Sequence, residues 1–174
     1  MRADIKAKIG KIRLLAFDVD GVLTAGTIIV DHLGRETKVF DVQDGFGLVL
    51  FKKAGFKTAI ITAKSSPAVK IRARRLGIDR VYQDAYPKVK AYRRLLKDLK
   101  MKGPQVCYVG DDLPDLPLFP QVGFSVAVAN AVGELKAEAD YVTRRPGGHG
   151  AVREVVELIL KTQKKWTPLI RGLR

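Results

Sequence analysis

Two aspartates, Asp18 and Asp20, stand one residue apart where an apolar run ends, in "LLAFDVDGVLTAG" over residues 14–26. Carboxylates this close repel one another, so the pair predicts a cation beside them. Three more acids, Asp111, Asp112 and Asp115, fall in "GDDLPDLP" after a second apolar run, "QVCYV". Thr62 follows the apolar "FKTAII", and Lys88 follows the loop "QDAYP". Singly, each has an ordinary explanation. Thr62 suits a turn, Lys88 a solvated helix start, Gly21 a turn, and Asp111 or Asp115 the cap of a helix begun at Pro114. Jointly they allow specific chemistry. Clustered carboxylates take a hard divalent cation, most naturally Mg²⁺, which prefers oxygen ligands. Mg²⁺ with a lysine makes a site for a phosphoryl group. One carboxylate can attack phosphorus. A second can protonate the leaving oxygen and later activate water.

These residues must be brought together by the elements that precede them. "RLLAF" (13–17), "FKTAII" (56–61), "DRVYQ" (79–83), "QVCYV" (105–109), "GFSVAV" (123–128) and "ADYV" (139–142) read as six strands. Helices are expected between most of them. "DGFGLVLFKKAG" has Asp44 as its expected N-cap and Gly55 beyond its end. "SSPAVKIRARRLG" has Ser66 as cap, Pro67 in the first turn and Gly77 as terminator. "KVKAYRRLLKDLKM" places Val89, Tyr92, Leu95, Leu96 and Leu99 on one face, and "AVREVVELILK" does the same with Val152, Val155, Val156 and Ile159. Residues 26–42 read as a hairpin turning at "DHLG". Strands apolar on both faces that alternate with helices predict an α/β fold, a Rossmann-like, doubly wound parallel sheet. Ligands of such sheets bind beyond the carboxyl ends of the strands, which is where the candidate residues fall.

The 174 residues suit a single domain, 1–174, with a hairpin at about 26–42 and a basic tail at about 162–174. Apolar residues make up 47% of the chain, yet no run is long enough to span a bilayer. The opening "MRADIKAKIGKIR" lacks the apolar centre of a signal peptide. The lone cysteine, Cys107, fits a reducing cytosol, so a cytoplasmic location is expected. The net charge of +14 is assigned mainly to solvated helix faces, because the basic positions alternate with apolar stripes. Nucleic-acid binding is disfavoured: no recognised motif is present and aromatics are not interleaved with the basic runs. The charge suits a small anionic substrate.

"DVDGVLT", "IITAKS", "YQDAYPK" and "VGDDLPDLPLF" together resemble the haloacid dehalogenase superfamily of phosphatases. "DVDGVLTAG", "VQDGFG", "LGIDRVYQ", "VGDDLPDLPLFPQVGFSVAVANA" and "ADYVTRRPGGHGAVREV" narrow the resemblance to the phosphatases of 3-deoxy-D-manno-octulosonate 8-phosphate (KDO 8-phosphate), which serve lipopolysaccharide synthesis. The resemblance implies that Asp18 is the nucleophile and Asp20 the general acid and base. Mg²⁺ would take the Asp18 carboxylate, the Asp20 carbonyl and the Asp111 carboxylate. Thr62 would hydrogen-bond the phosphoryl group, Lys88 would offset its charge, and Asp112 and Asp115 would orient the lysine and metal-bound waters. Gly21 suits close backbone approach to the phosphate, and Lys64 and His149 are read as substrate contacts, with a solvated loop histidine as the alternative for His149. The resemblance also implies a fold without a cap domain and a homotetramer assembled through the hairpin. Ile28, Val30, Val39 and Phe40 are read as interface residues, the alternative being that they pack on their own core, and the tail arginines Arg171 and Arg174 either meet an anion at a neighbour's site or belong to a frayed terminus.

The chain departs from the family pattern at several positions. Ala63-Lys64 replaces Gly-Arg, Ala25 replaces Asp, and Gln43 and His149 each replace Arg. A lysine binds an anion as a point charge rather than as a bidentate fork, so these departures bear on which sugar is taken. The alternatives are a phosphatase for another nonulosonate phosphate, another sugar phosphate or a polynucleotide end, or a non-catalytic oligomerisation module of the same fold. The complete set of acids, threonine and lysine argues against the last.

Overall fold

The computed structural model describes residues 3–172. Its strands are β1 (Leu14–Phe17), β2 (Ile29–Val30), β3 (Glu36–Thr37), β4 (Lys57–Ile61), β5 (Arg80–Tyr82), β6 (Val106–Gly110), β7 (Phe124–Ala127) and β8 (Tyr141–Val142). Its helices are α1 (Ala3–Lys11), α2 (Val42–Lys53), α3 (Pro67–Leu76), α4 (Lys88–Leu99), α5 (Gly133–Glu138), α6 (Ala151–Thr162) and α7 (Trp166–Arg171). Six strands form one sheet in the order β5-β4-β1-β6-β7-β8, and every pairing in it is parallel. β1, β6 and β7 are buried along their whole length, as strands covered by helices on both faces must be. Among the described residues, no helix is long and apolar enough to cross a membrane.

The strand order reverses between β1 and β6, and this sets the site. Phe17 pairs with Ile60 of β4 on one side and with Val109 of β6 on the other. The residues that follow these three strands therefore emerge at one edge, in the crevice where such sheets bind ligands. Between β1 and α2 the only regular structure is the antiparallel pair β2-β3, with Ile29 opposite Thr37 and Val30 opposite Glu36. Thr62 leads into α3 with no inserted domain.

Several local expectations are corrected. The hairpin ladder is shorter than residues 26–42, because the Asp31 carboxylate ties the turn through the Leu33 and Arg35 amides and the following chain leaves the ladder. Phe40 is partly buried against the core, with the Arg72 guanidinium 5.6 Å from its ring centroid, so part of its apolar surface is covered within its own chain. Ile28, Val30 and Val39 are exposed as expected. Ser66 occupies the cap position of α3, but its hydroxyl makes no capping bond and Pro67 opens the helix. The segment expected from Pro114 is a 3₁₀ turn, Leu113–Gln121, with Asp112 rather than Asp111 at the cap position and Asp115 completing the capping box by accepting the Asp112 amide. An unanticipated helix, α1, buries Ile5 and Ile9 beneath a lysine-rich face.

Asp44 carries the most informative correction. Asp41, not Asp44, caps α2, accepting from the Asp44 amide at 2.9 Å. Asp44 is 1% exposed and instead caps α6, accepting from the Gly150 amide at 3.2 Å and the Arg153 amide at 2.7 Å. Burial pushes its carboxyl up to about 6 despite these bonds. Asp44→Ala therefore leaves the first amides of α6 without an acceptor. It is expected to destabilise the fold by about 2 kcal/mol. The urea midpoint should fall with little change in slope.

Candidate active site

Lys88 is the hub. As the first residue of α4 it is delivered under the ends of β1 and β6, where its side chain is 1% exposed. Its ammonium donates to Asp18 Oδ2 at 2.5 Å and to Asp115 Oδ1. Burial works to lower the Lys88 pKa, but Asp115 and Asp18 outweigh it and hold the lysine above its ordinary value. The lysine therefore stays charged.

The three acids that meet here are not equivalent. Asp115 is saturated: Oδ1 accepts from Lys88 and from the Tyr108 hydroxyl at 2.6 Å, and Oδ2 from the amides of Asp111 and Asp112. It fixes other groups and has little left to offer a ligand. Asp18 accepts the Val19 amide on Oδ1 at 2.6 Å and Lys88 on Oδ2. Burial raises its pKa to about 6, with Lys88 opposing the rise. Asp111 keeps a buried oxygen, Oδ1, with no hydrogen-bond partner among the described residues. Burial, together with the charges of Asp115 and Asp18, pushes Asp111 up to about 8. One oxygen from each of Asp18, Asp111 and Asp115 lies within 4.8 Å of the others. An orphaned carboxylate oxygen among buried like charges is the environment that a divalent cation relieves, so the residues fit Mg²⁺.

Asp18, Asp20, Thr62, Lys64, Lys88, Asp111 and Asp112 line one cavity of about 270 Å³. The loop after β1 is shaped for that approach. Gly21 has φ of +85°, and a Cβ there would lie 1.9 Å from Asp111 Oδ2, so only glycine lets the Asp111 carboxylate close on this turn. Asp112 reaches the cavity but spends Oδ1 on the Leu113 amide, and no contact with Lys88 ties it to the lysine-orienting task expected of it. Of the positions that depart from the family pattern, Ala63 and Lys64 line the cavity; Ala25, Gln43 and His149 do not. His149 is exposed, and Gln43 accepts from Arg145 at 2.8 Å. Arg171 lines a separate hollow beside Trp166, and Arg174 lies outside the described residues.

Three contributors were not legible as site residues. Lys38, from the hairpin, donates to Asp20 Oδ1 at 2.5 Å. Tyr108 sits mid-strand, where only the need of a buried phenol for a partner marks it. Thr24 accepts the Gly21 and Gly26 amides at 3.3 Å each and so fixes the loop. A larger cavity of about 350 Å³ lies beside α6, lined by Arg144, Arg145, Arg153 and Lys161. Its acids are already engaged: Glu154 holds the Arg144 and Arg145 amides and the Tyr141 hydroxyl, and Glu157 holds Arg153 and Lys161. It offers no candidate nucleophile.

The family model for haloacid dehalogenase-like hydrolases matches residues 50–155. The 3-deoxy-D-manno-octulosonate 8-phosphate phosphatase of Yersinia pestis is 46% identical over 162 residues, which cover 93% of this chain and 87% of that protein. The same enzyme of Escherichia coli strain K12 is 47% identical over 163 residues, covering 94% of this chain and 87% of that one. The crystal structure of the Moraxella catarrhalis enzyme, in complex with magnesium ion, phosphate ion and KDO, superposes with a TM-score of 0.96 at 43% identity, covering 100% of both chains.

Proposed function

This chain belongs to the haloacid dehalogenase-like hydrolase family, and we propose that it is a Mg²⁺-dependent phosphomonoesterase that hydrolyses KDO 8-phosphate to KDO and phosphate. The observation that carries this reading is the lysine-bridged acid cluster, in which Asp111 keeps a buried, unpartnered oxygen and lines the same cavity as Asp18 and Thr62. The Moraxella catarrhalis structure, solved with the same metal, phosphate and KDO, supports the choice of substrate.

Asp18 attacks phosphorus through a carboxylate oxygen, forming an aspartyl phosphate as the bond to the sugar O8 breaks. Asp20 gives its proton to that departing oxygen. It then takes a proton from the water that attacks the aspartyl phosphate, releasing inorganic phosphate and restoring Asp18. Lys88 offsets phosphoryl charge, and Thr62 hydrogen-bonds a phosphoryl oxygen. Asp115 holds Lys88 in place. The Asp18 carboxylate, the Asp20 carbonyl and the Asp111 carboxylate would hold Mg²⁺, which supplies positive charge to the phosphoryl oxygens. The test is phosphate release from KDO 8-phosphate with Mg²⁺ and after chelation: release must stop in chelator and return with added Mg²⁺. Release that persists without a divalent ion contradicts the assignment.

Lys64 lines the cavity, and this reading assigns it to the sugar end of the substrate. Lys64→Ala is expected to raise KM about ten-fold while kcat changes less than about three-fold. An unchanged KM would return Lys64 to the solvated surface.

The reading includes a homotetramer closed by the hairpin. Ile28, Ile29, Val30, Leu33 and Val39 are exposed there, and Val42, Phe46 and Val49 extend the apolar surface onto α2. Such a patch marks an association surface. Residues 1–174 are read as a single domain, and a reducing cytosol suits the buried, unpaired Cys107.

A further inference from the structure

The Lys38 side chain is 5% exposed although it starts from a hairpin that is otherwise mostly in solvent. It folds back from just beyond β3 and is gripped at both sides: Asp20 Oδ1 lies 2.5 Å from its ammonium and Glu36 Oε1 lies 2.5 Å from it. Exposed lysine–carboxylate pairs are mobile and fix little. A lysine removed from water and shared by two carboxylates is fixed, and it fixes what it holds.

We propose that Lys38 is a positioning residue for proton transfer: it holds Asp20 through Oδ1 and so keeps Oδ2 turned toward the leaving oxygen. The chemistry stays on Asp20, and Lys38 is not among the residues that line the cavity. Glu36 anchors the ammonium from the far side, so the geometry of the proton donor is set by the hairpin and not only by the loop after β1. A carboxylate free to rotate would spend part of its time with neither oxygen in line, and misplacement of this size is costly in rate. This inference rests on the reading of Asp20 as the proton donor.

The test uses leaving groups. A sugar alkoxide needs a proton as it departs, whereas p-nitrophenolate leaves without one. The quantity to measure is the ratio of kcat/KM on KDO 8-phosphate to kcat/KM on p-nitrophenyl phosphate, in the wild type, Asp20→Asn, Lys38→Met and Lys38→Gln, because kcat/KM ends at formation of the aspartyl phosphate and leaves out the hydrolysis step that both substrates share. In Asp20→Asn the ratio should fall by about 100-fold or more. In both Lys38 variants it should fall by about ten-fold. Lys38→Cys alkylated with 2-bromoethylamine restores an ammonium of nearly the same reach, and it should bring the ratio back to within about three-fold of wild type. Cys107 is fully buried and does not compete for the reagent. Turnover of p-nitrophenyl phosphate also reports that each variant is folded. Equal losses on both substrates in the Lys38 variants, or no recovery on alkylation, while Asp20→Asn shows the split, overturn the positioning role alone. No split in Asp20→Asn overturns the proton-donor reading and this inference with it.

Discussion

Asp18→Asn is expected to abolish phosphate release, lowering kcat by at least about 10⁴-fold. An amide oxygen is far too weak a nucleophile to form the acyl phosphate, and the neighbouring carboxylates are committed elsewhere, Asp111 to the metal in this reading. Asp115 is held by its four donors, and Asp20 is tied to Lys38. The substitution should leave the fold intact. Asparagine has nearly the same shape, and Lys88 keeps Asp115 as a buried partner when the Asp18 charge is removed. Thermal unfolding should therefore shift by only a few degrees, roughly the effect of about 1 kcal/mol in a domain of this size. Turnover above about one-hundredth of wild type in a folded Asp18→Asn protein would remove Asp18 as the nucleophile.

Asp111→Asn carries the second large effect, and its two consequences have opposite signs. The change replaces a charged carboxylate, one oxygen of which lacks a partner, with a neutral amide, so the apparent Mg²⁺ affinity should weaken by about ten-fold or more and kcat at saturating Mg²⁺ should fall by about 100-fold. The same change removes one of three carboxylates gathered within 4.8 Å. In chelator the variant should therefore melt at a higher temperature than wild type, because like charges no longer repel in a buried site. Melting curves with and without Mg²⁺ check this directly: Mg²⁺ should stabilise wild type much more than the variant. Equal stabilisation of both proteins by Mg²⁺ would place the metal elsewhere.

Much of this site was legible before any coordinates, because apolar runs ending in polar residues place those residues at one edge of a parallel sheet. Asp18, Asp20, Thr62, Lys88 and Asp111 were found this way, and all line the same cavity. What stayed hidden depends on contacts distant in sequence. Asp44 looks like the cap of α2, since nothing local reveals that α6 begins against it. Lys38 reads as an ordinary hairpin lysine, because its meaning comes from the chain folding back onto Asp20. Phe40 is apolar and at the hairpin's base, so pattern alone cannot tell an interface from the protein's own core. α1 was obscured by composition: Ile5 and Ile9 are buried, but lysines interleave with them and dominate the local charge. The departures from the family pattern also became unequal once placed. Ala63 and Lys64 line the cavity while Ala25, Gln43 and His149 do not, which concentrates the question of sugar choice on one short segment after β4.

The central claim is tested most directly by kcat/KM for phosphate release across a panel at fixed Mg²⁺. The panel holds KDO 8-phosphate, a nonulosonate 9-phosphate, simple hexose phosphates and a 3′-phosphorylated oligonucleotide. The account predicts that KDO 8-phosphate exceeds every other member by about 100-fold or more, equivalent to about 3 kcal/mol of discrimination in the transition state. A nonulosonate 9-phosphate or hexose phosphate turned over as well as KDO 8-phosphate would contradict that substrate assignment, and the absence of phosphate release from all members would contradict the enzyme itself.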